Sequence, residues 1–129
     1  YLGPASPKRS VLFGLDQALG ARLIVVVEGP FDVLNLHQLG IPSAALMGKV
    51  CSPGQAAWLA RAGFKEVVVM LDGETAGEPA QVARVIEAIL PTFIARLPFG
   101  VDPGEATARQ SAMALRAKQP LSFRSLHAG

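Results

Sequence analysis

The chain has 129 residues, enough for one domain that buries about two-thirds of the surface exposed by its unfolded form. Half of the residues are hydrophobic, yet no run approaches the ~20 apolar residues of a membrane span and no secretion signal is legible, so a membrane protein is excluded and a cytoplasmic location expected. The single cysteine, Cys51, allows no internal disulfide, and with only His37 and His127 beside it no zinc finger can form; the net charge of +2 gives no sign of an extreme partner.

Tyr1 heads the chain in place of a methionine, as expected of a segment of something longer, and residues 1–20 form a lead-in whose first half holds Gly3, Pro4, Pro7, Lys8 and Arg9. Residues 11–20 fit a short strand or a helical turn equally well. Leu23-Ile24-Val25-Val26-Val27 is too short for a helix and too continuously apolar for a strand with one wet face, so it reads as a central parallel strand buried on both sides. Glu28 stands where that strand stops. Gly29 turns the chain, Pro30 suits the first position of a helix, and Asp32 falls in the first turn of a helix running to a Gly40 cap.

A second strand is expected over Ile41–Met47, with Gly48 and Lys49 at its end. Ser52-Pro53-Gly54-Gln55 has the capping-box spacing and opens a helix that ends near Gly63. Glu66–Leu71 is the third strand and runs directly into Asp72-Gly73-Glu74. Pro79 and an apolar face of Val82, Val85, Ile86, Ile89 and Leu90 mark a helix stopped by Pro91; Thr92–Leu97 is a fourth strand, followed by Asp102-Pro103-Gly104-Glu105. Ala106–Lys118 is alanine-rich and helical, ended by Pro120. Strands alternating with helices at this spacing predict an α/β fold: a single domain with a mostly parallel sheet of four strands or slightly more, helices covering both faces. Residues 21–109 make up the domain and residues 110–129 a helical basic tail. Trp58 and Phe64 are expected as core or interface anchors, Cys51 as a buried or half-buried thiol, and His37 as a half-packed residue with no metal-site spacing.

Six of the ten acids (Glu28, Asp32, Asp72, Glu74, Asp102 and Glu105) fall at strand ends or just after them, and the other four are scattered among twelve Lys and Arg. Open α/β sheets bind ligands at the carboxyl ends of their strands, and carboxylates gathered there raise one another's pKa unless a cation compensates them. Oxygen donors without His or Cys favour Mg²⁺ or Mn²⁺, which suits phosphoryl or nucleotidyl transfer. The basic remainder suits a polyanionic partner: Lys49 is a candidate phosphate contact, and Arg109, Arg116, Lys118 and Arg124 form an acid-free stretch that either tracks a nucleic-acid backbone or is a solvated face. Glu28 beside Gly-Pro can equally be a helix cap, and Asp32 in a first turn is favoured by the helix dipole whatever its function.

Val27-Glu28-Gly29-Pro30-Phe31-Asp32 followed by Leu71-Asp72-Gly73-Glu74 resembles the Toprim domain of primases, topoisomerases and some nucleases. Residues 32–41, Asp-Val-Leu-Asn-Leu-His-Gln-Leu-Gly-Ile, and residues 97–105, Leu-Pro-Phe-Gly-Val-Asp-Pro-Gly-Glu, are similar to stretches of bacterial DNA primases. The resemblance implies a metal-binding Toprim domain used in nucleotidyl transfer for RNA primer synthesis. Glu28 would be the catalytic acid or base and a metal neighbour, Asp72 and Glu74 the acids of the DxD motif, and Asp32 and Asp102 further metal carboxylates. It also implies nucleoside triphosphates, a single-stranded DNA template and the other domains of a primase as partners, and a helicase beyond them; without those domains little synthesis is expected. Glu74 stands where the family has aspartate, and Gly104 where primases carry an acid. A metal-dependent nuclease and a non-catalytic nucleic-acid-binding module are the alternatives. Topoisomerase strand passage is disfavoured because the one tyrosine is Tyr1, and a phospho-acceptor receiver domain because the fourth strand ends without a lysine.

Overall fold

The structure is a computed structural model that describes residues 11–71 and 78–121. Its centre is β1 (Leu23–Val27), every residue of which after Leu23 is buried. β2 (Ser43–Ala45) and β3 (Glu66–Val69) flank it in parallel, β4 (Thr92–Ile94) lies parallel to β3, and β5 (Gln119–Pro120) pairs antiparallel with β4. The sheet order is β2-β1-β3-β4-β5.

Successive residues of a strand point to opposite faces, and the β1–β3 centre fills both. Ile24, Val26, Val67 and Val69 face a core completed by α3 (Pro53–Arg61) and α4 (Glu78–Glu87) through Ala56, Leu59, Val82, Ala83 and Ile86. Val25, Val27, Val68 and Met70 face a second core with Val33 and Leu36 of α2 (Pro30–Gln38) and Ala114 of α5 (Ala108–Arg116). Each of the buried Val, Leu, Ile and Met side chains contributes roughly 1.5–3 kcal/mol relative to an exposed one. A charge at Val26, 0% exposed, would have no route to water.

Both readings of residues 11–20 hold in part. Phe13 forms an antiparallel bridge with Ala45, and α1 (Leu15–Ala18) follows as a single helical turn. The bridge covers the outer edge of β2 with two backbone hydrogen bonds, 3.0 and 2.9 Å. At the opposite edge, β5 is an element that the sequence pattern did not predict. Pro120 lies past the end of α5 on this edge strand, where its missing N–H costs no ladder bond. The second, third and fourth strands are also shorter than expected, although single backbone hydrogen bonds run on past their ends, from Leu46 N to Val27 O, Met70 N to Val26 O and Ala95 N to Val69 O.

The Ser52 capping box forms as expected, with the Ser52 hydroxyl accepting from Gln55 N at 3.1 Å and Gln55 Oε1 accepting from Ser52 N at 3.0 Å. A second box, Thr107 with Gln110, starts α5 at Ala108 rather than at Ala106. The α2 helix ends as its glycine indicated, Gly40 taking φ 79°, a conformation that suits glycine far better than a side chain with a Cβ. Phe64 is a core residue at 2% exposure, whereas Trp58 is 46% exposed with the Arg61 guanidinium 5.3 Å from its ring centroid, so Trp58 anchors no core.

Candidate functional site

Where β1 ends, Glu28 begins a cleft of about 370 Å³ lined by Gly29, Pro30, Phe31, Asp32, Asp102, Gly104 and Glu105. Two segments far apart in sequence meet there: the β1–α2 turn and the loop between β4 and α5. Glu28, Asp32 and Asp102 are all half-buried, and Glu105 is exposed at the rim.

Local chemistry fixes two of these carboxylates. Asp32 is the third residue of α2, and its Oδ2 accepts a hydrogen bond from Gly29 N at 3.1 Å, so Asp32 rather than Glu28 caps the helix. Asp102 Oδ1 accepts from Gly104 N at 2.8 Å, closing a tight turn in which Glu105 N and Ala106 N both donate to the Asp102 carbonyl. Gly104 is where the two carboxylates converge. A Cβ placed on it would lie 2.9 Å from Asp32 Oδ1 and 3.1 Å from Asp102 Oδ1. The acid that primases carry at this position therefore has no room here beside Asp32 and Asp102 as they stand, and Glu105, one residue on, reaches the cleft instead.

A half-buried residue passed over in the sequence holds the two segments together. Asn35, three residues after Asp32 on α2, donates from Nδ2 to the carbonyls of Pro103 at 2.8 Å and Ala106 at 2.9 Å. Its one sequence signal is an asparagine in mid-helix, where Asn is a weak helix former.

The other sequence candidates fall elsewhere. Lys49 is exposed and lines a separate hollow with Met47, Val50, Cys51 and Gln55 beyond β2. This hollow lies near the same sheet edge, because Met47 N donates to the Glu28 carbonyl at 2.8 Å. Arg109 and Arg116 are exposed on α5, and Lys118 places its Nζ 5.1 Å from the centroid of the Phe93 ring. Asp72, Glu74 and Arg124 lie outside the described residues. His37 is half-buried with Nε2 3.0 Å from the Ser43 carbonyl, a geometry in which that nitrogen is the donor. Cys51 is a buried thiol whose pKa desolvation raises to about 11, against a weaker opposing hydrogen bond from the Ala56 backbone.

The acids of the cleft offer a cation oxygen donors only, which suits a hard divalent ion. Among the described residues no group of three or more His, Cys, Asp or Glu side chains stands together as a metal site. Asp32 and Asp102 converge on Gly104 at the floor of the cleft.

A mostly parallel α/β sheet with acids beyond the carboxyl end of its central strand belongs to the class of open α/β domains, which bind their ligands at that edge. Comparison with known proteins makes the assignment specific. The Toprim-like family matches residues 25–107, and the chain belongs to that family. It is 36% identical to the DNA primase of Deinococcus radiodurans over 110 residues, covering 79% of this chain and 19% of that protein, and 37% identical to the DNA primase of Myxococcus xanthus over 112 residues, covering 80% of this chain and 18% of that one. The chain thus spans about a fifth of the length of these curated relatives. Among solved structures, the RNA polymerase domain of Mycobacterium tuberculosis primase DnaG superposes with a TM-score of 0.78 at 28% identity over 94% of this chain and 45% of that one. A DnaG primase catalytic domain bound to single-stranded DNA gives 0.76 at 25% identity, with 98% and 45% covered. The single mostly parallel α/β domain and the resemblance to the Toprim domain of bacterial primases are both borne out. Among the described residues no helix is long and apolar enough to cross a membrane.

Proposed function

We propose that this chain is the metal-binding Toprim domain of a DNA primase and serves nucleotidyl transfer in RNA primer synthesis during DNA replication in the cytoplasm. The observation that carries the reading is the cleft in which Glu28, Asp32 and Asp102 meet at the carboxyl edge of a parallel sheet, in a Toprim-like chain with primase relatives. Asp72 and Glu74, with Glu28, Asp32 and Asp102, would hold Mg²⁺ or Mn²⁺, which when bound neutralises the phosphates of a nucleoside triphosphate. Glu28 takes the proton of the attacking 3′-hydroxyl at a carboxylate oxygen as that hydroxyl bonds to the α-phosphorus and pyrophosphate leaves. Asp32 and Asp102 keep their side chains oriented through backbone N–H groups, so little reorganisation is needed when the ligand arrives.

Lys49, Arg109, Arg116 and Lys118 supply phosphate contacts to a single-stranded DNA template, as a structural relative's binding to single-stranded DNA suggests. The remaining domains of a primase complete the synthetic site, and a helicase is a further partner, in line with the likeness to the primase fragment of the bacteriophage T7 primase-helicase protein. The test is calorimetric titration of Mn²⁺ into the native chain and into Asp72→Asn. The native chain is expected to bind at millimolar metal or below and the variant at least about tenfold more weakly. Equal binding by the two removes Asp72 from the site, and no binding by the native chain removes the metal reading.

A further inference from the structure

We propose that Asn35 is a positioning residue for the cleft: by latching the 103–106 loop onto α2, it sets the distance between the Asp32 and Asp102 carboxylates. The inference concerns a residue to which no part of the functional reading assigns a role, and its consequence for metal rests on the metal-binding reading above.

Asp32 and Asp102 are 70 residues apart in sequence, on elements with independent local reasons for their shape. Asp32 is fixed to α2 by its bond to Gly29 N; Asp102 is fixed within its own turn by its bond to Gly104 N. Neither bond sets where the turn sits relative to the helix. The two bonds from Asn35 do, because they run from α2 to the carbonyls of Pro103 and Ala106, which bracket Gly104 and Glu105. Pro103 and Ala106 are buried, Ala106 in the same core as Val33 and Leu36 of α2, so the latch is seated on packed residues. With the bracket held, Gly104 stays within contact of both carboxylates.

The chemistry of the side chain fits the task. A primary amide offers two N–H donors on one nitrogen, and here both meet carbonyl oxygens. Aspartate would turn acceptors toward those carbonyls, leucine has a similar shape with no donor, and glutamine is one methylene too long for the same reach. An asparagine in mid-helix is unfavourable for the helix itself, and the latch is what its presence gains.

The experiment uses the 129-residue chain with Asn35→Ala and Asn35→Leu, and Ser52→Ala as a comparator that removes the α3 cap away from the cleft. Two readouts are taken: Mn²⁺ affinity by calorimetry and the ¹H–¹⁵N resonance and hydrogen-exchange protection of Gly104. Both Asn35 variants are expected to move the Gly104 resonance, speed its exchange and weaken Mn²⁺ binding by about tenfold, as changes to residues that orient metal ligands do. Ser52→Ala, losing a comparable few degrees of thermal midpoint, is expected to leave both readouts unchanged. Asn35 variants that keep the wild-type Gly104 signal, or that weaken Mn²⁺ no more than Ser52→Ala does, overturn the proposal. If the native chain binds no Mn²⁺, the metal reading fails, and the Gly104 amide alone decides the latch: unchanged in Asn35→Ala, the latch is wrong as well.

Discussion

Gly104 has no side chain for a steric reason, and the smallest change tests it. In Gly104→Ala the new Cβ meets Asp32 Oδ1 and Asp102 Oδ1 at distances that require both carboxylates to shift. The substitution is expected to cost little in urea denaturation, because both atoms are the ends of side chains that can move, but to weaken Mn²⁺ binding by displacing them. At Cys51 the pH dependence can be read from burial. Below pH 9 the folded and unfolded chains both keep the thiol proton, and between about 9 and 11 only the folded chain keeps it. Stability is therefore expected to fall as pH rises through that window. In Cys51→Ala that component of the loss disappears, as thermal midpoints of the two proteins measured from pH 8 to 11 would show.

Gln55 does at the scale of elements what Asn35 does beside the cleft. It is 3% exposed; its Nε2 donates to Val11 O at 2.8 Å and Leu46 O at 2.9 Å while Oε1 serves the α3 cap. One side chain thus ties the lead-in, the end of β2 and the start of α3. Gln55→Leu takes the donor from the Val11 carbonyl and from the buried bond to the Leu46 carbonyl, and is expected to lower stability by roughly 1–3 kcal/mol in chemical denaturation. The capping half of this role was legible, since a capping box is a contact over three residues. The tie to Val11 was not, because its partner lies 44 residues away. The same distinction separates Asp32 and Asp102, each visible at the end of an apolar run, from Asn35, whose partners are 68 and 71 residues distant. β5 was hidden for a related reason: two residues carry no periodicity, and pairing with β4 is what makes them a strand.

At the scale of the whole molecule, the sheet that the apolar runs announced is what brings the acids together. β1 and β3 are buried on both faces, so only their ends reach solvent, and their carboxyl ends are where chemistry can be placed. The fold class followed from continuous hydrophobic runs alternating with helical segments, a pattern that leaves few alternatives to a parallel sheet between two helical layers. The grouping of Glu28 with Asp102 came from the family resemblance, since alternation of strands and helices does not order strands in a sheet; that Glu105 joins them in one cleft needed tertiary structure. The most direct measurement is paramagnetic broadening of amide resonances as Mn²⁺ is titrated into the ¹⁵N-labelled chain. Amides of residues 28–32, 72–74 and 102–105, prolines aside, are expected to broaden first, while those of α3 persist. Broadening centred away from these three segments, or none at millimolar Mn²⁺, would contradict the metal reading.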